Sequence, residues 1–111
     1  MRCFLCRDRA GWWRRTCGDC RRLLAVWQEH RGAGMRVLLA EFRQTGVAPE
    51  KIERFLNAEP AYGQGAIRDQ IAADMTNQLL DALGQGGRQT RADVKRLRER
   101  GAWKGFDRPP E

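Results

Sequence analysis

The sequence predicts a mainly α fold, in which a small N-terminal hairpin precedes a compact bundle of four to five short helices. Two observations lead to this prediction. Apolar residues recur at helical spacing in several stretches, and glycine or proline separates these stretches from one another. All four cysteines lie within the first twenty residues, ahead of most of the helical pattern. At 111 residues the chain can bury one modest core, so we expect one domain or two small modules packed together.

The cysteines form two CxxC pairs that are separated by ten residues: Cys3, Cys6, Cys17 and Cys20. Each pair places two thiolates on one tight turn, and two pairs complete the tetrahedral ligand set that structural zinc prefers. Four sulfurs leave no open coordination position. We therefore predict one structural Zn²⁺, with iron as the other metal that suits four thiolates. Two disulfides and a redox-active CxxC are the alternative interpretations.

The stretch CFLCRDRAGWWRRTCGDCRRLL resembles the treble-clef and zinc-ribbon class of zinc fingers. In that class a hairpin with one knuckle precedes a second knuckle that can open a helix, so the predicted hairpin becomes a zinc-finger hairpin. The resemblance covers about a fifth of the chain and implies that the four cysteines are the ligands. Gly18 suits a knuckle because glycine tolerates backbone conformations that aim amides at sulfur, whereas the first knuckle has no glycine.

The segment between the knuckles, residues 7–16, is expected to form a hairpin or a looped finger. Adjacent strand residues point to opposite faces, so one of Trp12 and Trp13 could cover the metal while the other meets a partner or the helices. The plainer interpretation packs both rings on the protein's own core. Arg9, Arg14 and Arg15 interleave with these rings, however, as cations do on surfaces that stack nucleic-acid bases.

Helical spacing predicts five helices, at about 20–30, 35–45, 49–56, 66–83 and 90–100. The fourth has the clearest pattern, since Ile67, Ile71, Met75 and Leu79 form a stripe that we expect to be core along its length. Glycines end several of these helices, and Pro49 suits the first turn of the third.

The fifth helix opens with a capping box of Thr90 and Asp93. Its apolar content is thin, essentially Val94 and Leu97, and basic residues surround these two. We therefore expect this helix either to pack lightly, with a solvated charged face, or to dock on an acidic partner.

A helix-turn-helix is a further interpretation of the segment FRQTGVAPEKIERF. Phe42 stands where such motifs usually place a small residue. In the would-be recognition helix, Glu50 and Glu53 offset Lys51 and Arg54, and a neutral helix suits phosphates poorly. We therefore expect an ordinary helical hairpin here.

The net charge of +7 is concentrated at the two ends of the chain. Residues 1–31 carry eight arginines against three acids, residues 32–85 carry five basic residues against seven acids, and residues 86–111 carry eight basic residues against four acids. A zinc held by four thiolates would lower the total to about +5. We divide the chain accordingly into a four-cysteine zinc finger with its following helix at 1–31, a helical bundle at 32–85, and a basic helix and tail at 86–111.

The residues do not assemble the chemistry that an enzyme needs. The cysteines are assigned to the metal, His30 has no evident partner, and metalloprotease, nucleotide-loop and dinucleotide motifs do not occur. We expect a protein that is not an enzyme, has no small-molecule substrate and does not enter a membrane. Cys3 lies too near the first residue for a signal peptide, so we also expect a cytoplasmic location.

The leading hypothesis is a non-enzymatic accessory protein that binds nucleic acid or a nucleoprotein complex through its arginine-rich ends. An alternative is a protein–protein interaction adaptor that presents tryptophan and arginine surfaces. A weaker alternative is a thiol–zinc redox sensor. The predicted contact residues are Arg9, Trp12, Trp13, Arg14, Arg15, Arg21 and Arg22 near the finger, and Lys95, Arg96, Arg98, Arg100 and Trp103 near the other end.

Overall fold

The computed structural model describes residues 1–11 and 14–102. This part of the chain forms five helices: α1 Gly18–Glu29, α2 Met35–Gln44, α3 Pro49–Asn57, α4 Ile67–Ala82 and α5 Arg91–Glu99. Within the same residues there is no sheet, and the N-terminal hairpin is reduced to one isolated antiparallel bridge between Arg2 and Arg9. The prediction of a mainly α fold is confirmed.

The helix ends follow from local chemistry. Pro49 occupies the first turn of α3, and Gly46 has a φ of +80° in the connection from α2. Thr90 and Asp93 form the predicted capping box at the start of α5: the Thr90 backbone N–H donates to Asp93, and the Asp93 N–H donates to the Thr90 hydroxyl. These hydrogen bonds hold the pKa of Asp93 below its usual value.

One core joins the metal-binding segment to α1, α2, α3 and the first half of α4. The rings of Phe42 and Phe55 meet edge to face at 5.7 Å between α2 and α3. The four cysteines belong to the same buried cluster as Leu23 of α1, so the N-terminal segment is not a separate appendage.

The expectation that the whole stripe of α4 would be core is wrong for its second half. Ile67 and Ile71 are buried, but Leu79 is 60% exposed and Leu83, just past the helix, is 61% exposed. The reason lies in where α5 begins. Asn77 accepts from the Gln89 backbone N–H at 2.7 Å, and α5 then runs back toward the start of α4. The last turn of α4 therefore extends beyond the helix that covers it.

The helix α5 packs along α4 instead of standing apart as a solvated helix. Val94 is buried in a second small cluster with Ala72 and Ala73 of α4. At the other end of the pair, the Arg98 guanidinium binds both oxygens of Asp69. The two helices thus form an antiparallel pair with an apolar contact and an ionic contact.

Among the described residues, no helix combines the length and the apolar character that crossing a membrane requires.

Candidate metal centre

The sulfur atoms of the four cysteines lie within 3.6–3.9 Å of one another, and all four residues are buried. Four thiolates at about 2.3 Å from a central ion would stand about 3.8 Å apart at the corners of a tetrahedron. The sulfurs thus have the spacing of a closed tetrahedral site. This confirms the prediction that the cysteines form a set able to hold a metal ion.

The disulfide interpretation does not fit this arrangement. All four cysteines are free, and Cys6 and Cys17 have their sulfurs 3.6 Å apart, well beyond the bond length of about 2.05 Å. Each pair also satisfies sulfur with backbone amides, as metal knuckles do. The Asp8 N–H lies 3.5 Å from the Cys6 sulfur, and the Cys20 N–H lies 3.4 Å from the Cys17 sulfur.

The second knuckle is part of a helix. Cys17 is the N-cap of α1 and its sulfur accepts from Cys20 in the first turn. A thiolate placed there is stabilised by the positive end of the helix dipole. Gly18, expected to supply unusual backbone freedom, has no positive φ, because it is the first residue of this helix.

The first knuckle places its unusual backbone conformation at an arginine. Arg7, directly after Cys6, has a φ of +70°, and it is the only described residue other than glycine with a positive φ. The Arg7 N–H donates to the Cys3 carbonyl at 3.0 Å, and the Arg2 guanidinium donates to the Arg7 carbonyl at 3.0 Å. The turn is thus held in a conformation that costs an L residue about 1–3 kcal/mol.

The electrostatics of the cluster favour a bound cation. Burial raises the pKa of Cys6 and of Cys20. At Cys3 burial also acts to raise the pKa, but backbone N–H groups, that of Cys17 foremost, outweigh it and lower the pKa to about 6. The Cys3 thiolate is therefore favoured by the protein alone, whereas Cys6 and Cys20 need a metal ion to ionise as well.

Helix α3 binds both knuckles through two cations. The Lys51 ammonium lies 3.2 Å from Asp8, next to the first knuckle, and 2.9 Å from Asp19, in the second. Arg54 donates to the Cys6 carbonyl at 3.2 Å and to Asp8 at 3.1 Å. Burial lowers the pKa of Lys51, but the two carboxylates outweigh that effect and raise it. The cations of the would-be recognition helix are therefore used inside the protein, which supports the ordinary helical hairpin.

The predicted contact residues near the finger lie mostly at the surface. Arg9, Arg14, Arg15 and Arg21 are exposed, and their side chains make no ion pair or hydrogen bond with the part of the chain that the structure describes. Arg22 differs, because it is bound to Asp19. Trp12 and Trp13, and Trp103 at the other end, lie outside the described residues.

Most of the predicted contact residues of α5 have partners within the protein. Lys95 lies 3.2 Å from Glu59, Arg96 is bound to Asp93, and Arg98 binds the buried Asp69. Arg100 is exposed and makes no ion pair with a described residue. Contact of α5 with a partner stays a prediction. Three of its four predicted contact residues already form ion pairs within the protein.

Sequence reasoning missed two exposed aromatic residues that line a groove beside Cys6. Phe4, inside the first knuckle, is 42% exposed, and Tyr62, in the connection between α3 and α4, is fully exposed. The Tyr62 loop was predicted, but no short-range pattern indicates that it lies beside the first knuckle. The one available signal was an aromatic residue within a CxxC turn, where a ring has little of its own chain to pack against.

Comparison with known proteins adds no relative. No protein-family model matches the chain, and neither a curated protein nor a solved structure matches it. Its function has to be inferred from its own residues.

Proposed function

We propose that this protein is a small non-enzymatic zinc protein that binds nucleic acid, or a nucleoprotein complex, through the finger surface. The finger surface consists of the exposed side chains Arg9, Arg14, Arg15 and Arg21. Zinc is preferred over iron because nothing else in the chain calls for electron transfer, and a site closed by four thiolates is typical of structural zinc. Such a site has no open position for catalysis.

The proposal is supported by a difference between the basic side chains: some bind acids within the protein, whereas the four arginines of the finger surface bind none among the described residues. The acids next to the cysteines, Asp8 and Asp19, are bound by Lys51, so they do not neutralise the finger surface. Four arginines are left free to contact phosphates, and each neutralised phosphate releases counterions. Arginine also presents two parallel N–H groups to a phosphate, which lysine cannot do. The metal would hold this surface rigid against α3.

The proposal is tested by the salt dependence of binding to a labelled oligonucleotide of random sequence, measured by fluorescence anisotropy. A double variant, Arg14→Gln with Arg15→Gln, should weaken binding and lower the slope of log K against log salt by about 1.4 on a single strand. The matched control is Arg36→Gln with Arg43→Gln, which removes the same charge from exposed positions of α2. The proposal fails if the wild-type protein does not bind, or if both double variants lose affinity equally.

The adaptor hypothesis makes a different prediction for the native partner. Tagged protein would be purified from its native lysate with and without nuclease, and zinc would be measured in both samples. Under our proposal nuclease removes the co-purifying partners. A protein partner that persists at stoichiometric yield after nuclease would favour the adaptor, and an absence of zinc would contradict the metal assignment.

A further inference from the structure

A groove lies between the first knuckle and the end of α3. Its volume is about 510 Å³, within the range of about 300–1,000 Å³ that small-molecule sites occupy. Phe4 and Arg7 come from the knuckle, Asn57 ends α3, and Tyr62 comes from the connection to α4. The groove thus lies between the metal-binding segment and the helical bundle.

The walls of this groove expose two rings. Phe4 is 42% exposed and Tyr62 is fully exposed, while the rings of Phe42 and Phe55 are completely buried in the core. An exposed aromatic ring in a concave site presents a face on which a flat ligand can stack. Every nucleobase has such a face, so stacking of this kind does not depend on base identity.

The charge beside these rings is positive. The Arg7 side chain is exposed and makes no ion pair with any residue in the described ranges. The carboxylate of Glu59, which also lines the groove, is 3.2 Å from the Lys95 ammonium. Among the described residues, Glu59 is thus the one acidic side chain that lines the groove, and it has a cation of its own, so Arg7 is left for an anionic ligand.

Two contacts link the groove to the finger surface. Arg2 donates to the Arg7 carbonyl, and Arg2 pairs with Arg9 in the antiparallel bridge. The backbone of Arg9, on the finger surface, is thus linked through Arg2 to the backbone of Arg7 at the groove. A backbone of phosphates could extend from the finger surface to Arg7 while one or two bases enter the groove.

We propose that this groove binds single-stranded nucleic acid, with bases stacked on Phe4 and Tyr62 and a phosphate held by Arg7. The inference rests on the proposed function and specifies its ligand. The bases of a duplex are stacked on one another and hide their faces, whereas an unpaired base can leave the stack and meet a ring. Asn57 offers an amide donor and acceptor at the same groove, suited to a base edge.

The test compares labelled single strands of DNA and RNA, about twelve nucleotides long, with the matching duplexes. The zinc-loaded protein should bind a single strand at least ten times more tightly than the duplex. Tyr62→Ala should weaken single-strand binding about 5- to 150-fold and leave duplex binding unchanged. Tyr62→Phe, which retains the ring, should bind the single strand as tightly as the wild-type protein does. Leu83→Ala is the control, because it removes another exposed apolar side chain, at the C-cap of α4 and outside the groove.

The outcomes separate this inference from the proposed function. Wild-type protein that binds no nucleic acid overturns both. Salt-dependent binding that does not distinguish strand from duplex, or that is unchanged in Tyr62→Ala, overturns the groove and leaves the proposed function standing. Competition by a free nucleoside monophosphate at the concentration where an oligonucleotide competes would also overturn it, since that result describes a mononucleotide site. Because Tyr62 is fully exposed, its loss should not unfold the protein, and circular dichroism checks this.

Discussion

At the scale of single residues, the buried carboxylate of Asp69 binds an arginine that is far away in the sequence, Arg98. This carboxylate is 1% exposed and accepts from the Ala66 backbone N–H at 2.8 Å. The same two oxygens accept from Arg98 at 2.8 and 3.0 Å. This bidentate pair satisfies a buried anion and fixes the end of α5. Arg98 therefore serves the fold, although its sequence context is that of a nucleic-acid contact.

Replacing Asp69 should be costly in a way that replacing a surface acid is not. Asp69→Asn retains the shape but leaves Arg98 without its anion, and we expect a loss of about 2–4 kcal/mol in the free energy of unfolding. Urea denaturation of the zinc-loaded protein measures this loss. Asp81→Asn is the control, since Asp81 and its partner Arg88 are both exposed, and it should change stability by less than about 0.5 kcal/mol. Equal stability of the two variants would contradict the structural role of the pair.

At the scale of elements, the pairing of α4 with α5 depends on a close approach at Gly65. This residue has a φ of +101°, and a β-carbon here would lie 2.9 Å from the Arg91 carbonyl oxygen and 3.0 Å from an Asp69 oxygen. Both neighbours are fixed, one by the start of α5 and the other by the Arg98 pair. Glycine is needed at this position for conformation and for space.

Gly65→Ala should therefore destabilise the protein by about 1–3 kcal/mol, because it combines backbone strain with a clash. Gly86→Ala is the matched control, since a β-carbon there meets open space and its φ is not in the left-handed region. It should be neutral, or stabilising by up to about 1 kcal/mol through the unfolded state. Thermal denaturation of the two variants beside wild type makes the comparison. Similar melting temperatures for both would show that α5 can shift away from Gly65.

At the scale of the whole molecule, the features that could be predicted from the sequence are those that depend on residues close together in the chain. The predicted helix ends lie within two residues of the observed ones, because caps, glycines and Pro49 act on their own segments. The spacing of the four cysteines likewise predicted that they form one metal-binding set. The partners of Lys51 could not be predicted, since Asp8 and Asp19 are more than thirty positions away. Nor could the exposure of Leu79, which depends on where α5 begins.

The long-range contacts make the metal site part of the main core. Lys51 and Arg54 bind the knuckles to α3, and Cys20 lies in the first turn of α1 beside Leu23. Loss of the ion would leave four close sulfur atoms in that core without the cation that holds them together. The cluster of Ala72, Ala73 and Val94 between α4 and α5 is separate from this core and contains no cysteine.

Metal removal should therefore unfold the protein unequally. On chelation at neutral pH, we expect amides of α1 and of the first knuckle to lose hydrogen-exchange protection first, while amides around Ala73 and Val94 exchange last. Cys3→Ser should give the same order, because one oxygen in place of a buried thiolate opens the tetrahedron. Chelator with excess zinc is the control and should restore full protection. If α1 keeps its protection without metal, or if all helices exchange together, the metal does not hold the N-terminal half on α3 as these contacts imply.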